Sequence, residues 1–98
     1  MNYPLIIRPE AELDMEAGIE WYEKQRSGLG IEFLIEVERV FDRIADNPVL
    51  YASEYRSIRR AKIKRFPYIV YYRLINQSVE VVAVQHGHRH PFRWQIRS

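Results

Sequence analysis

Apolar residues recur at helical spacing through the first half of the chain and in alternation through the second. Tyr3 to Ile7 is a short, apolar, β-branched run that predicts a strand. Pro4 has no amide donor, so this strand lies at a sheet edge or begins at the proline. Pro9 suits the first turn of a helix, and Glu10, Glu12 and Asp14 complement its N-terminal dipole. From Glu10 to about Arg26 the pattern is helical. Ala11, Met15, Gly18 and Tyr22 share one face, with Ala17 and Trp21 widening it, and Glu12, Glu16, Glu20 and Glu23 lie opposite. That acidic side reads as a solvated face or as a docking surface for a basic partner. Ser27-Gly28-Leu29-Gly30 turns the chain. A second helix follows from about Ile31 to Asp46, with the stripe Phe33, Val37, Val40, Phe41 and Ile44, and Asn47-Pro48 stops it.

Residues 49–56 read as an irregular loop carrying Tyr51 and Tyr55. Ile58 to Lys64 alternates, which sends Arg60, Lys62 and Lys64 to one face and Ala61 and Ile63 to the other. Phe66 to Ile75 and Val79 to Gln85 are β-branched and aromatic runs separated by the turn Asn76-Gln77-Ser78. The expected fold class is therefore α+β in the order β-α-α-β-β-β. A helical hairpin packs on one face of a small, mainly antiparallel sheet, in a single domain over residues 1–98. The other sheet face is left for solvent or ligand.

Charge changes the picture more than composition does. Residues 1–55 hold 5 Lys/Arg against 12 Asp/Glu, while residues 56–98 hold 10 Lys/Arg and one acid, Glu80. Either the later segment meets something anionic, or the two halves attract each other within the fold. The chain has no cysteine, which excludes disulfides and thiolate metal sites. It also has no apolar run of the roughly 20 residues a bilayer crossing needs, and its N-terminus lacks a signal-peptide pattern. A cytoplasmic domain with no membrane partner is expected.

Two constellations carry candidate chemistry. Arg59, Arg60, Lys62, Lys64 and Arg65, with Arg73 on the next strand, form a cationic group. Alternate members of a strand stand about 6–7 Å apart, which roughly matches successive phosphates. Phe66, Tyr68, Tyr71 and Tyr72 lie nearby in sequence, and rings beside cations suit unstacked bases. The competing reading is an edge strand protected by charge. The second constellation is His86-Gly87-His88-Arg89-His90 with Pro91-Phe92-Arg93-Trp94. Three histidines this close on one segment fit a metal poorly, so no metal or cofactor is expected. A neutral imidazole beside cations can accept a proton, and solvated surface histidines remain the plain alternative for His88 and His90. Exposed Phe92 and Trp94 would make an apolar patch, so they are expected to fold back on the sheet or to be covered by a partner.

In order along the chain, Trp21-Tyr22-Glu23, Gly28-Leu29-Gly30-Ile31-Glu32-Phe33, Asn47-Pro48, Arg59-Arg60 and Arg65-Phe66-Pro67-Tyr68-Ile69-Val70-Tyr71-Tyr72-Arg73 resemble the RelE/ParE superfamily of bacterial toxins. Val82-Ala83-Val84-Gln85-His86 and Arg89-His90-Pro91-Phe92-Arg93-Trp94 are similar to the closing strand and tail of its ParE-like members. The resemblance implies the toxin of a type II toxin–antitoxin module, held inactive by a cognate antitoxin. ParE-type members inhibit DNA gyrase; RelE-type members enter the ribosome and cut mRNA without metal. For the RelE type it implies a catalytic set of Arg60, Lys62, Lys64 and His86, or Arg89 in place of His86. Arg65 and Arg73 would clamp phosphate, and Arg59, Tyr68, Arg89, Arg93 and Trp94 would complete a binding surface. A domain kept only as a non-toxic interaction module is the third possibility. In each case the partner is expected to offer an amphipathic helix and an extended acidic stretch.

Overall fold

The computed structural model describes residues 2–88 and 92–97, leaving out the side chains of Glu54, Phe92 and Arg93. The elements are β1 (Leu5–Ile7), α1 (Pro9–Gln25), α2 (Leu29–Asp46), β2 (Ser53–Tyr55), β3 (Ile58–Lys62), β4 (Tyr68–Ile75), β5 (Ser78–His86) and a single turn, α3 (Phe92–Gln95). The sheet order is β1-β5-β4-β3-β2, with β1 parallel to β5 and every other pair antiparallel. This is the expected α+β architecture, extended by one strand and a terminal helical turn.

The hairpin forms as its stripes dictate. Phe33, Val37, Val40, Phe41 and Ile44 of α2 are all buried, together with Ala11, Gly18 and Tyr22 of α1. Each large apolar side chain so removed from water contributes roughly 1.5–3 kcal/mol. Ala17 and Trp21 do not widen that face: both are exposed, because the sheet under α1 ends before it reaches them. The two helices approach closely through glycine. A Cβ on Gly30 would stand 2.7 Å from the Ile19 carbonyl oxygen, and one on Gly18 would stand 2.7 Å from the Phe33 ring.

α2 begins at Leu29, two residues earlier than its hydrophobic pattern indicates. Gly28 takes a left-handed φ of 89°. Glu23, one of the four acids expected to face solvent, reaches across the turn to accept from the Gly28 N–H (3.0 Å) and the Gly30 N–H (3.1 Å). It is exposed, yet it caps α2, and those two donors hold its carboxyl below the ordinary 4.5.

Residues 53–55 are a strand rather than loop. The turn that pairs β2 with β3 uses Arg56 and Ser57 at φ 47° and 65°, a two-residue hairpin built without glycine or asparagine. β3 stops at Lys62, short of Lys64, because the chain bends and Arg65 turns left-handed at φ 71°. In β5 an extra residue, Val82, lies between the pairs Tyr72↔Val81 and Tyr71↔Ala83. The bulge explains an unbroken buried run: Val81 and Val84 face the helices, while Val82 and Ala83 face the opposite side.

Two expectations follow. Gly30→Ala should destabilise the fold by about 1–3 kcal/mol in urea denaturation, because the Ile19 backbone cannot yield as a side chain would. Wild type should be more stable than Glu23→Gln at neutral pH. That difference should shrink as the pH falls below 4.5 and through the lowered folded pKa, where the carboxylate takes its proton. A gap in urea midpoint that stays constant from pH 7 to pH 3 would contradict the cap.

Candidate functional site

The pleat of β3 decides where its cations go. Ala61 and Ile63 join the core beneath the helices, so Arg60 and Lys62 project from the opposite, open face. On that face Lys62 stands beside Ile69, which stands beside Gln85, and Arg60 lies beside Tyr71 and Ala83. Lys64 lies beyond the strand end, in the bend before β4. Lys62 and Lys64 are exposed and make no ion pair among the described residues. Arg60, Lys62, Pro67, Gly87 and His88 line a cleft of about 280 Å³ there.

The other candidates do not converge on it. Arg59 alternates to the helix-facing side beside Tyr72 and donates to the Tyr51 carbonyl. The Arg65 guanidinium donates to Glu32 at 2.6 Å and lies over the Phe66 ring. That pairing holds the Glu32 carboxyl below its usual range and raises Arg65 further. Arg73 is on the open face but donates to Glu80 at 2.8 Å, four residues along β4 from the Lys62 register, a span of about 13 Å. The expected phosphate clamp therefore meets carboxylates of its own chain. Arg89 lies outside the described residues, as does the Arg93 side chain.

His86 is the decisive case. It pairs with Tyr68 and follows the parity of Val84, which faces the helices, so its ring emerges opposite to Arg60 and Lys62. Its neighbours are Tyr68, whose ring centroid is 5.5 Å away, and His88, 5.2 Å away. The His88 N–H donates to His86 Nδ1 at 3.1 Å, which leaves Nε2 to carry the proton of the neutral ring. The four-residue catalytic set that the resemblance implies for the RelE type is thus split between two faces. His88, at the strand end, is the described imidazole that borders the Lys62 cleft. By sequence, His88 reads either as a proton acceptor or as a solvated surface histidine.

Around the sheet end, Trp21, Tyr22, Pro67, Tyr68, His86 and His88 line a second cleft of about 580 Å³. Tyr68 is anchored by Phe33 (centroids 4.8 Å) and Tyr22 (5.9 Å), and burial and Tyr68 together raise the Tyr22 phenol above its ordinary 10.0. Trp94 folds back on the open face, as expected for an apolar tail residue. It is buried, stacks on Tyr71 at 4.4 Å and meets Tyr55 edge-on. Arg97 then pairs with Asp14 at 2.7 Å. Among the described residues, the chain's own tail therefore roofs the Tyr71 part of the open face and does not reach Lys62.

Helices on one side of a mixed sheet, with a cationic cleft at the sheet end, define a small α+β domain. Residues 5–91 match the family described as ParE toxin of type II toxin-antitoxin system, parDE, and the chain belongs to that family. Among solved structures it is similar to a chain of the "Chromosomal ParDE TA system from P. aeruginosa", with TM-score 0.77 and 14% identity over 86% of this chain and 95% of that one. It is also similar to a doubly substituted form of the E. coli toxin RelE in the free state, with TM-score 0.60 and 16% identity over 99% and 97% of the two chains. No curated protein matches at the sequence level. The family match identifies a ParE-type toxin of a type II toxin–antitoxin system, and the two solved structures, at identities this low, show the fold alone.

Trp94→Ala should cost about 3 kcal/mol in chemical denaturation, since it removes a buried indole and uncovers Tyr71. A loss under 1 kcal/mol would mean that the tail is not docked in solution.

Proposed function

We propose that this chain is the toxin of a type II module, acts in the cytoplasm by binding and inhibiting DNA gyrase, and is neutralised by a cognate antitoxin. The observation that carries the gyrase reading is the separation of His86 from Arg60 and Lys62 by the plane of the sheet. Metal-free cleavage of a phosphodiester needs a base, an acid and cations around one reacting group. Here the cations and His86 lie on opposite faces, and Tyr71, the phenol in register with Arg60, is stacked beneath Trp94. What stands open is a surface of exposed lysines beside a cleft, which suits binding to an anionic or acidic face of a large target.

A ribosome-dependent mRNA endonuclease is the second reading, favoured by one observation: His88 and Lys62 line the same cleft. The two are separable. Purified protein should block supercoiling by gyrase in vitro, and induction of the chain alone should arrest growth until the product of the adjacent gene is supplied. Absence of inhibition at saturating toxin, with new mRNA ends in primer extension that disappear in Lys62→Ala, would select the endonuclease. No effect on growth at all would leave an interaction module.

A further inference from the structure

β1 is an outer strand of the sheet, and its ladder to β5 uses every second residue. The Pro4 carbonyl accepts from the Val79 N–H, and the Arg8 N–H donates to the Val81 carbonyl. The even positions, Ile6 included, are therefore the ones whose backbone faces β5. Leu5 and Ile7 turn N–H and C=O outward, where they meet no partner among the described residues. The Tyr3 N–H, next in that outward series, is taken by the Ala45 carbonyl at 2.8 Å, so the bare stretch begins at Leu5. Leu5 and Ile7 are partly exposed and lean on the core, which sends the Ile6 side chain to the open face, where it is 53% exposed. The other edges of the sheet carry charge. Arg60 and Lys62 border β3 beyond its pairing with β2, Glu54 lies in β2, and Asp14 with Arg97 covers β5 past Val81. Leu5-Ile6-Ile7 has none of these protections apart from its shortness.

We infer that this edge takes a second copy of the chain, β1 against β1, antiparallel and in register about Ile6. Leu5 then exchanges both backbone hydrogen bonds with Ile7 of the second copy, and Ile7 does the same with its Leu5. The two Ile6 side chains meet across the two-fold axis, on Cα atoms about 4.5 Å apart. The Arg97 carbonyl accepts from Arg8, so the tail ends beside β1, and Ile96 there is a further apolar side chain, 64% exposed. Charge agrees with this register. Arg8 falls opposite Pro4 of the second copy, not opposite the other Arg8, and its guanidinium already has Glu80 at 3.8 Å. An acidic strand from another protein would find no cation along Leu5–Ile7 itself. The pairing joins two five-stranded sheets into one. It leaves the two Lys62 clefts on opposite borders, about 34 Å apart across the strands at ordinary strand spacing. The contact itself does not depend on the gyrase reading.

Sedimentation equilibrium of the full chain from 10 μM to 1 mM tests the pairing. Wild type should pass from monomer to dimer across that range. Ile6→Lys and Ile6→Glu should each raise the dimer dissociation constant at least tenfold, because like charges would face each other across the axis. An equimolar mixture of the two variants should recover a heterodimer within threefold of the wild-type constant. Ile35→Lys, an exposed site on α2, should dimerise within twofold of wild type. All substituted positions are exposed, and unchanged thermal melts certify the folds. Residue-resolved amide exchange on wild type gives a reading that needs no variant. The Leu5 and Ile7 amides should exchange at least fivefold more slowly at 1 mM than at 50 μM, while the Ile6 amide, already bonded to β5, should not change. A monomer at every concentration would overturn the inference. So would a dimer unmoved by Ile6→Lys, which would lie on another surface, or one that the mixed variants fail to restore. Slowed exchange at Leu5 and Ile7 only when the product of the adjacent gene is added would give the edge to that protein instead.

Discussion

Alternation in β3 is the constraint on which the rest of the structure depends. Ala61 and Ile63 are drawn under the helical hairpin by the same apolar burial that fixes Phe33, Val37 and Ile44, and a pleated strand then has one place for Arg60 and Lys62. Two hydrophobic residues of modest size thereby aim two cations at solvent. The neighbouring strand obeys the same rule with the opposite consequence, since Val84 draws His86 to the helix side. No chemistry at the site chose this partition; core packing did.

The charge segregation resolves in part within the fold. Glu32 with Arg65 and Asp14 with Arg97 join the acidic half to the basic half, tying α2 to the β3–β4 bend and α1 to the C-terminal turn. Exposed pairs of this kind are worth little individually, so the Glu32–Arg65 contact orients more than it stabilises. Asp14 and Arg97 do something further by occupying the edge of β5 where β1 runs out, a covering that discourages edge-to-edge association. Lys62 and Lys64 stay outside these internal pairs among the described residues, and Lys62 borders the cleft.

Most of the architecture was legible in the chain because periodicity and burial agree: the α2 stripe, Pro9 opening α1, the edge position of β1 and the β3-β4-β5 meander follow from pattern alone. The misreadings share a cause. Strand β2 hides behind a hairpin turn made of Arg56 and Ser57, which carry no turn signature. Trp21 sits at helical spacing with the core, but the sheet is too narrow to cover it. The side of His86 follows from strand register, set by contacts across the sheet, whereas spacing within its own segment only says that 86 and 88 share a face if the chain stays extended. Likewise, nothing local to Arg65 or Arg73 foretells Glu32 and Glu80 as their partners.

Proton–proton contacts of the His86 ring, measured by nuclear Overhauser spectroscopy on the full chain, test the partition of the two faces most directly. Cross-peaks are expected from His86 to the Tyr68 ring, with none to the Tyr71–Trp94 stack or the Lys62 side chain. Cross-peaks joining His86 to Tyr71 or Lys62 would put imidazole and cations on one face and contradict that partition.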